Sequence, residues 1–323
     1  MQKIGTFRNA PLAMLVALLA SSQAATAQPA CQIPAYQRPT NRPPVPTSEE
    51  LAKMPQTRGA TGDQQRHYYF AEAKTESPYR IYVPENYDGK TKLPLILALH
   101  GAGGDQNYFF KDQYMGQPAG ASAMPALVKA HGFIFLAPSG MGRFGGYGAG
   151  TLARVPVDAD PNIIPIPAAP GRAVMTPAEA KRATELSEKD VMNILANVEK
   201  EYNVDRSRVY LMGHSMGGNG TWYLGQKYRD KWAAIAPMSS GFGYVDYPLT
   251  KLKGIPIMVT AGSRDIAMHG PQAQAELKRF KAAGLDIRYV EIPCGSHMTN
   301  IPFAFPQVVQ FFTAVDQRRV AAK

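Results

Sequence analysis

The sequence predicts an α/β fold: a mostly parallel, doubly wound sheet with helices on both faces and a Gly/Pro-rich, lid-like insertion. Two patterns carry this expectation. The apolar runs "KLPLILALHG", "GFIFLAPSG", "SRVYLMGH", "AAIAPMSSG", "IPIMVTAG" and "DIRYVEIP" have the continuous hydrophobic character of strands buried on both faces. Helix-like segments separate most of them, and one run ends in "GHSMGG", a strand-to-helix turn tight enough to need glycine on either side of its serine.

In chain order, residues 1–27 read as a secretory signal peptide. Lys3 and Arg8 make its start positive, "PLAMLVALLA" is its apolar segment, and "ATA" ending at Ala27 is a small-residue cleavage site. The apolar segment is far shorter than the roughly 20 residues a bilayer span needs. Export to the periplasm or the outside is expected, without stable membrane insertion. Residues 28–62, including "YQRPTNRPPVPTSEE", are rich in Pro, Thr, Gln and Arg and predict an extended arm or linker.

The catalytic domain is expected over 63–323. "RHYYFAEA" and "YRIYVPENY" open it as two consecutive strands, ahead of the six buried runs. Residues 185–202 place Leu186, Val191, Ile194, Leu195 and Val198 near one helical face, and "PQAQAELKRFKAAG" is a helix capped by Gly284. Residues 140–183, crowded with Gly and Pro, interrupt the alternation. A connection of this length reads as a lid or binding loop, with a passive surface insertion as the alternative.

With 323 residues and 45% hydrophobic content, the chain can bury one large core. The formal charge is +10, and losing Lys3 and Arg8 with the acid-free leader leaves +8. The basic residues are scattered without a run of five, so no nucleic-acid partner is expected, only weak attraction to polyanions. Cys31 and Cys294 are the only cysteines. An even count in an oxidising compartment favours a disulfide, which would tie the arm to the loop before His297. No clustered His, Cys and carboxylate residues suggest a metal, and no cofactor is expected. The sequence sets no oligomeric state.

The chemistry centres on Ser215, which follows one strand and precedes a helix. A serine hydroxyl needs a histidine base and a carboxylate that holds the histidine in the correct tautomer. In this fold their chain order is serine, acid, histidine, and only His269 and His297 follow Ser215. His297, just past the last strand, is preferred, because His269 lies four residues from the best acid. That acid is Asp265, at the carboxyl end of "IPIMVTAG", with Asp246 as its rival. Asp286 and Glu291 begin or lie within a strand. Oxyanion donors are expected at the amides of Met216 and of Ala102 in "ALHGAGGD". Tyr108, Phe242 and Tyr244 are candidate substrate-binding residues, with Phe109, Phe110 and Trp222 as further aromatics near the cleft.

The segments "YRIYVPENYDGKTKLPLILALHGAGGD", "DVMNILANVEKEYNVDRSRVYLMGHSMGGNGTWYLGQKYRDKWAAIAPMSSG", "TAGSRDIAM" and "PCGSHM" resemble secreted α/β-hydrolase esterases of the polyhydroxybutyrate depolymerase and feruloyl esterase group. That group is related to carbohydrate esterase family 1 and to prolyl-oligopeptidase-like hydrolases. The likeness covers roughly residues 75–315. It implies Ser215 as nucleophile, Asp265 as acid, His297 as base, the Met216 and Ala102 amides as oxyanion hole, and a small-molecule or polymeric ester as substrate. The 140–183 insertion is longer and richer in proline than the loop usual there, so the acyl group stays open between feruloyl, acyl-sugar and polyester types. Two rivals stand beside the esterase: a serine peptidase of the same fold and a non-catalytic polymer-binding protein.

Overall fold

All eight expected strands form. In the computed structural model, which describes residues 46–110, 124–142, 145–150, 176–240, 249–266 and 270–322, they are β1 (Gly62–Phe70), β2 (Thr75–Val83), β3 (Leu93–Leu99), β4 (Ile134–Pro138), β5 (Val204–His214), β6 (Ala234–Met238), β7 (Ile257–Arg264) and β8 (Ile287–Ser296). The described helices are α1 (Ser48–Ala52), α2 (Met124–Lys129), α3 (Pro177–Glu201), α4 (Met216–Lys227), α5 (Gly270–Ala282) and α6 (Ile301–Ala321). One sheet runs in the order β1-β2-β4-β3-β5-β6-β7-β8. β2 is antiparallel to both β1 and β4, and every pairing from β4 to β8 is parallel.

The apolar runs of β3 to β7 read as continuous because each of these strands is covered twice, whereas β8, expected to be buried on both faces, lies at the sheet edge and is mostly half-buried or exposed. Along β3, Leu95, Leu97 and Leu99 enter one core with Val191, Ile194, Leu195 and Trp222 of α3 and α4. The alternate residues Ile96 and Ala98 enter the other, with Phe305, Val308 and Phe312 of α6. The C-terminal helix is further fastened by Asp316, whose two carboxylate oxygens accept from Arg208 of β5 at 2.7 Å each.

Two segments differ from the sequence reading, and a third, α6, lies where that reading named no element. Residues 46–61, expected within the extended arm, hold α1, whose Thr47 and Glu50 cap each other's backbone. They pack onto β1, where the Arg66 guanidinium donates to the Thr57 carbonyl and to both carboxylate oxygens of Glu201. Helix α3 begins at Pro177, eight residues before the expected 185, and so takes in the end of the 140–183 insertion. A second capping box, Thr176 with Glu179, and a proline at the first helical position fix this start. Helix α6 forms despite Pro302 and Pro306, because both lie within its first six residues, where few backbone bonds are lost. Residues 151–175 of the insertion lie outside the described residues, as do the leader and Cys31.

Asp190 of α3 joins the helix to the loop after β4. Its side chain is fully buried, and it accepts hydrogen bonds from the Tyr68 hydroxyl at 2.9 Å and the Met141 amide at 3.1 Å. Burial raises the carboxyl to about 6, against the opposing pull of its hydrogen bonds. Because the folded value lies above the unfolded 3.8, the folded state holds the proton longer, and its stabilisation is lost as pH rises from about 4 through 6. The loss expected from this group is about 3 kcal/mol. Urea unfolding at pH 4 and pH 7 measures it: Asp190→Asn should lack this fall, whatever its baseline stability.

Candidate active site

Ser215 sits between β5 and α4 with φ 56° and ψ −114°, a left-handed backbone that a residue with a side chain adopts only under strain. The turn closes because its flanking residues are glycines. A Cβ on Gly213 would overlap the Gly217 carbonyl, and one on Gly217 would overlap the Leu99 carbonyl at the end of β3. The Ser215 amide donates to the Met238 carbonyl at 2.9 Å, which pins the turn to β6.

The loops after β7 and β8 bring two further groups to the serine. His297 Nε2 lies 2.9 Å from Ser215 Oγ, and its Nδ1 lies 2.8 Å from Asp265 Oδ1. Asp265 is fully buried, whereas the His297 side chain is 23% exposed. An acid that holds the proton on Nδ1 leaves Nε2 free to take one from the serine hydroxyl. Asp286 and Glu291 are exposed at and within β8. His269 and Asp246 lie outside the described residues.

Asn300, at the start of α6 and fully buried, was not singled out from sequence. Its Nδ2 lies 3.3 Å from Asp265 Oδ2, 3.1 Å from the His297 carbonyl oxygen and 2.9 Å from Ser239 Oγ. Ser239, just past β6, has φ 48° and donates its amide to the Thr260 carbonyl at 2.8 Å. One buried amide therefore links the acid to the histidine loop. Its sequence signal was faint: a polar residue opening a helix, with no local cap to make.

Met216 is the first residue of α4, and the first amides of a helix have no partner within it. Ala102 is exposed on a four-residue turn closed by the Gly104 amide donating to the Gly101 carbonyl at 2.9 Å. That turn abuts the elbow, since a Cβ on Gly101 would lie 3.0 Å from His214 Nδ1. It is held behind by Tyr147, whose hydroxyl donates to the His100 carbonyl at 3.2 Å.

Tyr108 does not line a cleft. It is 4% exposed, and its hydroxyl lies 2.8 Å from His214 Nδ1. Its ring packs edge-on to Phe109, because the chain turns inward after the glycine loop and buries "YFF" in the core shared with α6. Phe109, Phe110 and Trp222 are likewise core residues. Phe242 and Tyr244 lie outside the described residues. Among the described residues, no group of three or more His, Cys, Asp or Glu could hold a metal ion.

No protein-family model matches the chain. It is 26% identical over 202 residues to a bifunctional acetylxylan esterase/xylanase of Neocallimastix patriciarum, a match covering 62% of this chain and 23% of that protein. A thermostable esterase superposes with a TM-score of 0.52 at 23% identity, over 77% of this chain and 62% of the other. A carbohydrate esterase family 1 ferulic acid esterase from Anaeromyces mucronatus, solved with ferulic acid, superposes with a TM-score of 0.55 at 17% identity, over 81% and 94%. The chain has the α/β-hydrolase fold. In an α/β-hydrolase the carboxyl edge of the parallel strands carries the site, and here that edge holds Ser215, Asp265 and His297. The relatives are esterases, the kind of protein that the sequence motifs resemble. The chain nevertheless spans under a quarter of the acetylxylan esterase/xylanase and under two thirds of the thermostable esterase.

Proposed function

We propose that this α/β-hydrolase is a secreted serine esterase that cleaves carboxylic esters of feruloyl, acyl-sugar or polyester type through an acyl-enzyme. The reading rests on one observation above all: the unbroken hydrogen-bond line Ser215–His297–Asp265, with the serine on a strained turn. Ser215 attacks the ester carbonyl as His297 Nε2 takes its proton, and Asp265 stabilises the imidazolium that forms. The Met216 and Ala102 amides receive the developing oxyanion. His297 then protonates the leaving alcohol and activates the water that frees the acid. Apart from the ester and the attacking water, the groups in these steps are side chains and amides of the chain itself.

The alcohol and acyl pockets are assigned to the 140–183 insertion and to Phe242 and Tyr244. Ile266, beside Asp265, and Phe303, in the first turn of α6, are exposed apolar side chains suited to an acyl or aryl group. Export follows from the leader, with cleavage near Ala27, and a Cys31–Cys294 bridge follows from the even cysteine count.

The test is hydrolysis by the mature protein of nitrophenyl esters from acetyl to long acyl, with methyl ferulate and a peptide anilide beside them. Turnover of at least one ester, reduced at least about 10³-fold in Ser215→Ala, is the expected result. Cleavage of the anilide alone would replace the esterase with a peptidase. No difference between the two proteins on any substrate would remove the enzyme.

A further inference from the structure

We propose that His214 is a positioning residue for His297, its ring steadied from the other side by the Tyr108 hydroxyl. The proposal rests on the esterase reading above. His214 ends β5 immediately before Ser215, and its ring is fully buried. Its Nε2 lies 2.8 Å from the backbone carbonyl oxygen of His297, while its Nδ1 lies 2.8 Å from the Tyr108 hydroxyl.

These two partners assign the protons. A carbonyl oxygen only accepts, so Nε2 carries the hydrogen and donates. Nδ1 is then a bare acceptor, and of its two possible partner types it has the one that can donate, a tyrosine hydroxyl. Burial, and next the charge of His297, hold the His214 imidazole down at about 3. It therefore stays neutral while His297 gains and loses a proton, and its hydrogen bonds do not change during turnover. That neutrality matters at this range, because the two rings are centred 4.9 Å apart and a second cation would oppose the imidazolium.

The mechanical consequence is that the strand carrying the nucleophile also carries the anchor of the base. Ser215 and His297 are coupled twice, through the Ser215 Oγ to Nε2 contact and through the adjacent His214 side chain to the His297 backbone. Asn300 supplies a second donor to the same carbonyl at 3.1 Å, so losing His214 should loosen the base without releasing it. A displacement of about 1 Å in such a contact costs on the order of 10²-fold in rate.

The experiment compares wild type, His214→Leu, His214→Gln and Tyr108→Phe in the mature chain, on the ester that wild type turns over best. His214→Leu should lower kcat about 10²-fold with KM within about threefold. His214→Gln, whose amide reaches the His297 carbonyl, should recover at least about tenfold of that loss. Tyr108→Phe should lower kcat about three- to tenfold. In nitrogen-correlated NMR of the ring, wild-type His214 should show the Nε2–H tautomer from pH 5 to 9, kept in Tyr108→Phe by the His297 carbonyl, while the Nδ1 resonance shifts on losing its donor.

A folded His214→Leu within about twofold of wild type would overturn the proposal. So would a glutamine variant no better than leucine, or a lowered Tm with kcat untouched. If His214→Leu does not fold, Tyr108→Phe and the wild-type ring decide, since an unchanged kcat in the first or an Nδ1–H tautomer in the second also overturns it. A wild type lacking Ser215-dependent turnover is a different failure. It removes the esterase reading, and with it the role of His214, whatever the ring tautomer shows.

Discussion

Asp265→Asn is expected to lower kcat for ester hydrolysis by about 10⁴-fold while the protein stays folded. The carboxylate is fully buried, with Oδ1 accepting from His297 Nδ1 at 2.8 Å and Oδ2 facing Asn300 Nδ2 at 3.3 Å. An amide at this place has one acceptor for two donors. If its oxygen stays on His297, its NH₂ meets the NH₂ of Asn300. If it turns to satisfy Asn300, its NH₂ faces His297 Nδ1 and forces the proton onto Nε2, where the ring can no longer accept from Ser215. Asn300 thus biases the substitution toward the unproductive tautomer. The check is steady-state kinetics beside thermal unfolding, in which kcat collapses while Tm moves by only a few degrees. Equal loss of both would mean that Asp265 serves the fold and not the base.

Gly217→Ala carries the second large effect, of steric origin. The added methyl would meet the Leu99 and His100 carbonyl groups, backbone atoms of the neighbouring strand end that cannot rotate away. Relief requires α4 to move off β3, which takes Ser215 and the Met216 amide with it. The expected cost is about 3 kcal/mol or more in unfolding free energy, with activity down at least about 10²-fold. Gly225→Ala, in the same helix, is the control. Its methyl would press only on the end of the Ile235 side chain at 3.0 Å, with Leu252 in ordinary contact at 3.6 Å, and better helix propensity offsets that pressure. Its net effect should stay below about 1 kcal/mol.

The contrast between these glycines explains what the sequence reveals. Gly213 and Gly217 are legible because a hard steric rule ties them to the serine between them. The inner strands β3 to β7 are legible because burial on two faces writes an unbroken apolar run. Chain order brings out Asp265 and His297, since strand ends on one edge must supply the partners of Ser215. Helix α3 was readable further back than the apolar periodicity reaches: "TPAE" at 176–179 is a capping box with proline at the first helical position.

Tyr108, His214 and Asn300 were not legible, and for a shared reason. Each acts through a contact distant in sequence, 106 residues from Tyr108 to His214 and 83 from His214 to His297. An aromatic after a glycine loop looks the same whether it turns outward to substrate or inward to a histidine. The only local hint was a histidine ending a strand buried on both faces, since a buried polar ring must find partners. The sequence does not say which partners those are.

The proposed esterase stands or falls on Ser215 as a nucleophile activated by His297. The most direct measurement is to treat the mature protein with diisopropyl fluorophosphate and locate the added phosphoryl group by peptide mass mapping, in wild type and in His297→Ala. The expected result is one group per chain on Ser215, in step with loss of ester hydrolysis, and labelling slowed at least about 10³-fold without His297. Hydrolysis that persists with Ser215 unmodified, or a label on another residue that tracks the inactivation, would contradict it.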